Sequence, residues 1–226
     1  MIRHNLSRFI SGATLISLLS FNAGADQLLQ SIKADYKERL GAMFTDFHRN
    51  PELSTGEVRT AKNLAIALRG SGFEVTEGVG GTGIVAMLKN GSGPLVMLRA
   101  DMDGLPLKEK SGLPYASTAT QLDPITGKVF PVMHACGHDV HITSLIGTAK
   151  QMADRRDSWS GTLMLIGQPA EERVMGARIM MQDNLWKRFG QPDYALAFHV
   201  SAGLTAGQVN VQEGAPFAGA DTVDII

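Results

Sequence analysis

One short segment concentrates side chains that can bind a transition metal. Residues 133–141, with the sequence MHACGHDVH, contain the only cysteine of the chain, Cys136, and three of its six histidines, among them His138. Thiolate and imidazole are typical protein ligands of zinc and other transition metals. The glycine between Cys136 and His138 lets the backbone turn so that both side chains can face one ion. We therefore predict a metal site here; a polar loop that merely packs against the following helix is the alternative.

Two further histidines give weaker signals. His141 lies one helical turn after His138 and could be a ligand in its place, but a histidine on the surface of the helix is the interpretation we favour. His199 lies near the end of a predicted strand, 194–200, where a single histidine is usually packed or hydrogen-bonded. Its value as a candidate ligand depends on the other clusters.

Two adjacent carboxylates, Glu171 and Glu172, follow a predicted buried strand at 162–166. Adjacent side chains point in different directions, so one carboxylate can bind a metal while its neighbour transfers a proton in metal-assisted hydrolysis. Acidic pairs also commonly begin helices, where the helix dipole favours negative charge. Taken alone, the pair leaves both interpretations open.

A second pair of carboxylates, Asp101 and Asp103, lies in the sequence RADMD at the end of a predicted strand, 95–100. Two carboxylates at this spacing can orient a histidine that binds a metal. Aspartates that follow a strand also form turns through hydrogen bonds to their own backbone, which is the alternative.

The elements that must position these clusters alternate between helices and short apolar strands. The spacing of apolar residues and the positions of Gly and Pro predict helices over 27–48, 55–69 (with Thr55 as the cap), 138–153 and 171–181. Strands are predicted over 73–76, 83–88, 95–100, 162–166 and 194–200. An irregular loop is predicted over 108–132. This alternation favours an α/β fold with a mostly parallel or mixed sheet flanked by helices. Functional groups of such sheets lie at the carboxyl ends of the strands, where the two carboxylate pairs and His199 fall.

Composition excludes several classes of protein. The chain has 226 residues, 44% of them hydrophobic, which is typical of a globular protein. Its 21 basic and 22 acidic residues give a net charge of -1, which argues against nucleic acid as a partner. A single cysteine excludes an internal disulfide.

The first 25 residues have the pattern of an export signal. A basic start is followed by an apolar stretch at 9–21 and by the small residues Ala23-Gly24-Ala25, which predict cleavage after Ala25. The apolar stretch is short for a membrane span, and a buried first helix is the alternative. We expect a periplasmic or secreted protein that has no membrane partner once the signal is removed.

The order of four motifs resembles that of the M20 metallopeptidases. These motifs are RADMD at 99–103, MHACGHDVH at 133–141, PAEE at 169–172 and FHV at 198–200. They are most similar to the amidohydrolase branch, which includes hippurate hydrolases, N-acyl-amino-acid amidohydrolases and auxin-conjugate hydrolases. The resemblance extends over residues 28–226.

The resemblance implies a site with two divalent metal ions, zinc or manganese. The implied metal ligands are Cys136, His138, Glu172 and His199; Glu171 would be the general base, and Asp103 the aspartate that supports the metal cluster. The implied activity is hydrolysis of the amide bond in a small N-acyl amino acid or peptide by metal-activated water. The alternatives are an M20-type aminopeptidase or carboxypeptidase and an inactive fragment that retains metal binding.

The same resemblance implies a division of the chain into domains. After the signal peptide at 1–25, residues 26–215 would be the N-terminal part of the catalytic domain, and 216–226 would be the first strand of an inserted lid and dimerisation domain. We expect the rest of that insertion and the family's last histidine ligand to be missing from this chain. Full-length relatives are expected to be homodimers.

Overall fold

The computed structural model describes residues 24–211 together with 213 and 214. Most of the predicted signal peptide and all of the predicted lid strand at 216–226 therefore lie outside the described residues. The predicted cleavage point after Ala25 falls in a helix that spans 24–35. Among the helices of the described part of the chain, none is both long and apolar enough to cross a membrane.

The helices fall in the predicted segments, although the last of these begins later than predicted, and the short helix at 185–189 has no predicted counterpart. They are α1 (24–35), α2 (Gly41–Arg49), α3 (Val58–Gly70), α4 (His138–Asp154), α5 (Gly176–Gln182) and α6 (Leu185–Phe189). A π-helical turn, Tyr36–Leu40, joins α1 to α2, so the predicted first helix is continuous but not regular. A 3₁₀ turn, Arg156–Ser158, follows α4.

The start of α3 differs from the prediction. Thr55 is not the cap: it has a φ of 68°, and the helix begins at Val58. The carboxylate of Glu52 accepts hydrogen bonds from the backbone N–H groups of Arg59 at 3.0 Å and Thr60 at 2.7 Å. Since the first N–H groups of a helix lack partners within it, this carboxylate provides the cap from outside the helix.

Five strands form one mixed sheet: β1 (Glu74–Val79), β2 (Gly83–Asn90), β3 (Leu95–Asp101), β6 (Gly161–Gln168) and β7 (Tyr194–Ala197). Their order across the sheet is β1-β2-β6-β3-β7. β2 is antiparallel to both β1 and β6, whereas β3 is parallel to both β6 and β7. The predicted fold class, a sheet flanked by helices, is confirmed in its mixed form.

The prediction that the segment 108–132 is irregular is wrong in part. The segment contains a small antiparallel hairpin. Its strands are β4 (Thr120–Leu122) and β5 (Val129–Pro131). The carboxylate of Asp123 stabilises the turn between them by accepting a hydrogen bond from the Thr126 hydroxyl at 2.7 Å. Strands of three residues are too short for their alternation of side chains to be recognised in a sequence.

The sheet buries apolar side chains on both faces. On one face, α3 and α4 pack over the larger core, which includes Leu68, Ile142 and Leu165. On the other face, α5 and α6 contribute Met180 and Leu185 to a smaller core. Successive residues of β6 alternate between the two cores, as the two-residue period of a strand requires. Packing of helices on both faces thereby stabilises the parallel strands, whose carboxyl ends carry the predicted site residues.

Two substitutions on α3 test this packing. Leu68 is 0% exposed and Ile66 is 57% exposed. We expect Leu68→Ala to lower the free energy of unfolding by about 2–5 kcal/mol, because it leaves a cavity in the larger core. We expect Ile66→Ala to lower it by about 1 kcal/mol or less. Urea denaturation measures both values, and equal losses would contradict the assignment of the two helix faces.

Candidate metal centre

The parallel strands bring the predicted site residues to one edge of the sheet. Asp103 follows β3, Glu171 and Glu172 follow β6, and His199 follows β7. Because β3, β6 and β7 run in the same direction, their carboxyl ends lie side by side. His138 is the first residue of α4, which begins at the same edge.

His138 is buried among four carboxylates. Its Nδ1 donates a hydrogen bond to the backbone oxygen of Asp103 at 2.8 Å. Its Nε2 lies 3.5 Å from a carboxylate oxygen of Asp101 and 3.8 Å from one oxygen each of Glu171 and Glu172. Burial lowers the pKa of His138, but the hydrogen bond to Asp103 and the surrounding carboxylates outweigh burial and raise it. The surroundings of this imidazole therefore favour positive charge.

Asp103 fixes the backbone of the turn that carries Glu171 and Glu172. Its carboxylate accepts hydrogen bonds from the Ser54 hydroxyl at 2.5 Å and from the backbone N–H groups of Glu171 at 3.1 Å and Glu172 at 3.0 Å. Burial would raise the pKa of Asp103, but hydrogen bonds from His138 and Ser54 outweigh it and lower the pKa. An ionised Asp103 thus orients both the imidazole and the acidic turn.

The segment that carries Glu171 and Glu172 is a tight turn, which corrects the predicted start of the helix at 171. Ala170 and Val174 have φ angles of 46° and 53°, and α5 begins only at Gly176. A Cβ atom at Gly176 would lie 1.5 Å from the backbone oxygen of Pro169. Only glycine allows this close approach of the chain to itself. The left-handed residues on both sides of the acidic pair prevent a regular helix there.

A buried acid, Glu57, which directly precedes the first residue of α3, supports the same turn. Its carboxylate accepts hydrogen bonds from the backbone N–H of Ala170 at 2.7 Å and from the Thr82 hydroxyl at 2.5 Å. Burial raises the pKa of Glu57. Sequence reasoning missed this residue, because an isolated glutamate next to a helix resembles an ordinary surface acid.

Cys136 and His199 meet close to His138, and potential ligand atoms of the three lie within 4.8 Å of one another. The Sγ atom of Cys136 lies 3.3 Å from Nε2 of His199. The Nδ1 atom of His199 donates a hydrogen bond to the backbone oxygen of Val200 at 2.6 Å. Burial, and then the carboxylates of Glu172 and Glu171, raise the pKa of the Cys136 thiol to about 12. The charges of the protein itself therefore favour the neutral thiol.

The arrangement fits a bound divalent cation. The buried atoms Nε2 of His138 and Oε1 of Glu172, 3.8 Å apart, have no hydrogen-bond partner in the described structure. Since Nδ1 of His138 is bonded to Asp103, Nε2 is the ring nitrogen that faces the carboxylate oxygens. This contact is favourable when positive charge lies there, which either a proton on Nε2 or a divalent cation bound to it supplies. Within the described residues, potential ligand atoms within 4.8 Å of one another form the groups Cys136–His138–His199, His138–Glu171–Glu172 and Asp101–His138–His141.

The prediction that His141 lies on the helix surface is wrong. His141 is buried against β3. Its Nδ1 lies 2.6 Å from a carboxylate oxygen of Asp101, and its Nε2 accepts a hydrogen bond from the backbone N–H of Val200 at 3.0 Å. The reason for the difference is that α4 presents the side of its first turn that carries His138 and His141 to the sheet. With both ring nitrogens bonded to protein groups, His141 lies near the candidate ligands without being available as one.

Comparison with known proteins identifies a family. Residues 97–223 match the sequence profile of Peptidase family M20/M25/M40. Hippurate hydrolase of Campylobacter jejuni is 42% identical over 179 residues, which are 79% of this chain and 43% of that protein. N-acetylcysteine deacetylase of Bacillus subtilis is 36% identical over 193 residues, 84% of this chain and 47% of that protein.

A solved structure agrees with these sequence matches. The Bacillus subtilis protein YXEP, described as a dinuclear metal-binding peptidase from the M20 family, superposes with a TM-score of 0.70 at 36% identity. The match covers 80% of this chain and 48% of that one, so this chain spans about half the length of the relatives that it matches. The family predicted from four short motifs is confirmed. This chain belongs to Peptidase family M20/M25/M40.

Proposed function

We propose that this chain provides metal-binding and proton-transfer groups for hydrolysis of the amide bond in N-acyl amino acids. The observation that carries the proposal is the unpartnered pair of His138 Nε2 and Glu172 Oε1, with a second carboxylate, Glu171, beside it. The names of the relatives, hippurate hydrolase and N-acetylcysteine deacetylase, support the same class of substrate.

Four side chains would hold two divalent ions, zinc or manganese: Cys136, His138, Glu172 and His199. Sulfur and imidazole suit zinc, and carboxylate oxygen suits both metals. Asp103 would keep His138 in the required tautomer, because its backbone oxygen accepts the Nδ1 proton. Bound divalent ions supply Lewis-acid polarisation of a carbonyl and make water more acidic.

Glu171 is better suited than Glu172 to move protons. Its side chain is 39% exposed, against 16% for Glu172, so that water and substrate can reach its carboxylate. Glu171 would accept a proton from the water whose oxygen bonds to the amide carbon. As the carbon–nitrogen bond breaks, the same carboxylate would return that proton to the departing amine.

We also propose that the protein is exported to the periplasm or secreted. The pattern of residues 1–25 supports this proposal. A metal bound to Cys136 would in addition explain how a single thiol persists in an oxidising compartment. As a further part of the proposal, we expect full-length members of the family to form homodimers.

The exchange of Glu171 for Gln tests its role. We expect Glu171→Gln to lower hydrolysis of N-acetyl and N-benzoyl amino acids about 10²- to 10⁴-fold, because a general base is lost. Its metal content, measured by elemental analysis, should be unchanged. The matched variant Glu172→Gln should instead lose metal.

The opposite pattern, with metal lost in Glu171→Gln and kept in Glu172→Gln, would reverse the two assignments. A wild-type chain that binds metal but hydrolyses neither class of substrate would indicate a metal-binding module without turnover.

A second substitution tests the sulfur ligand. Cys136→Ser should weaken metal binding at least as strongly as the loss of a supporting residue, which costs about 10- to 100-fold in affinity. Calorimetric titration with zinc measures this change. An affinity equal to that of the wild-type chain would remove the thiolate from the proposed site.

A further inference from the structure

Val200 joins the end of β7 to the turn that carries Cys136 and His138. Its backbone N–H donates a hydrogen bond to Nε2 of His141 at 3.0 Å. Its Cγ2 atom lies 2.4 Å from the point that a Cβ atom of Gly137 would occupy. Glycine at 137 therefore does more than permit the left-handed φ of 86°, because it also leaves the space that Val200 fills.

Val200 also fixes the neighbouring His199. The backbone oxygen of Val200 accepts the Nδ1 proton of His199 at 2.6 Å, and the other ring nitrogen, Nε2, faces Cys136. The ring of His141 packs edge-on against that of His199, with centroids 4.6 Å apart. Both polar backbone groups of Val200 are thus used at this one point, the N–H by His141 and the oxygen by His199.

These contacts permit only one tautomer of His141. Nε2 must be unprotonated to accept the N–H of Val200, so Nδ1 carries the proton and donates it to Asp101 at 2.6 Å. Asp101 in turn accepts a hydrogen bond from Nη1 of Arg99 at 2.7 Å. Asp101 is thus the acceptor for Nδ1 of His141, and the N–H of Val200 is the donor to Nε2, so the two partners together fix the tautomer.

We propose that His141 is a positioning residue for the metal centre, which sets the place of His199 by binding the backbone N–H of Val200. The proposal rests on the proposed function, in which His199 is a metal ligand. Partners of this kind, which orient ligands without touching the metal, change its affinity by about 10- to 100-fold.

Two variants separate the hydrogen bonds of His141. The amide of Asn reaches about as far as Nδ1 and can keep the bond to Asp101, whereas the amide of Gln reaches about as far as Nε2 and can accept the N–H of Val200. We expect the dissociation constant for Co²⁺ to rise about 10- to 100-fold in His141→Asn. In His141→Gln it should stay within about twofold of the wild-type value.

The measurement is a titration of the purified chain with Co²⁺, followed by the charge-transfer absorption between cobalt and the Cys136 thiolate. The same substitution is then made in a His199→Ala background. If His141 acts through His199, His141→Asn should cause no further loss in that background, because coupled residues are not additive.

Several results would overturn the inference. They are an unchanged Co²⁺ affinity in His141→Asn, an equal weakening in His141→Gln, and the same additional loss with or without His199. Should His141→Asn fail to fold, His141→Leu, which offers no acceptor to the N–H of Val200, replaces it, and the same 10- to 100-fold loss relative to His141→Gln is expected. A wild-type chain that binds no Co²⁺ would overturn the proposed metal site as well, whereas wild-type binding with an unaffected His141→Asn overturns this inference alone.

Discussion

The structure depends on the concentration of negative charge around one buried imidazole. Asp101, Asp103, Glu171 and Glu172 each place an oxygen within 4 Å of a ring nitrogen of His138. Carboxylates removed from water are costly unless hydrogen bonds or positive charge compensate them. Asp103 is compensated by the protein, through Ser54 and two backbone N–H groups. Glu172 has a buried oxygen without a hydrogen-bond partner, and burial raises its pKa. A cation at this point relieves the remaining cost.

Two separate sets of contacts position the candidate ligands around this imidazole. On the side of β3 and β6, Asp103 and Glu57 hold a turn whose backbone enters left-handed conformations. On the side of β7, Val200 rests on Gly137 and brings His199 to Cys136. The first side contributes oxygen and the second contributes sulfur and nitrogen, and His138 has potential ligand atoms within 4.8 Å of both sets. Both sides depend on three parallel strands ending together, which the two cores of the sheet maintain.

Much of this arrangement could be predicted from the sequence, because several of its causes are local. Long periodic segments such as α4 and apolar strands such as β6 are recognisable from spacing alone, and the site residues follow strands at points where polar residues replace apolar ones. The family motifs added the grouping of Cys136 with His199, which are 63 residues apart.

What could not be predicted depends on tertiary contacts. The cap of α3 comes from Glu52, which lies outside the helix, so the prediction of Thr55 as the cap is wrong. The burial of His141 depends on which side of α4 faces β3, and the role of Glu57 depends on a turn 113 residues later in the chain. Each is a side chain bonded to a backbone group that only the fold brings near.

Anomalous diffraction from crystals of the zinc-loaded protein tests the central claim most directly. The account predicts an ion bonded to Nε2 of His138, at the distance of about 2.0–2.1 Å that is typical of zinc and histidine. Sulfur of Cys136 or an oxygen of Glu172 should complete its surroundings. An ion bound elsewhere, with Nε2 of His138 facing only carboxylates, would contradict the account.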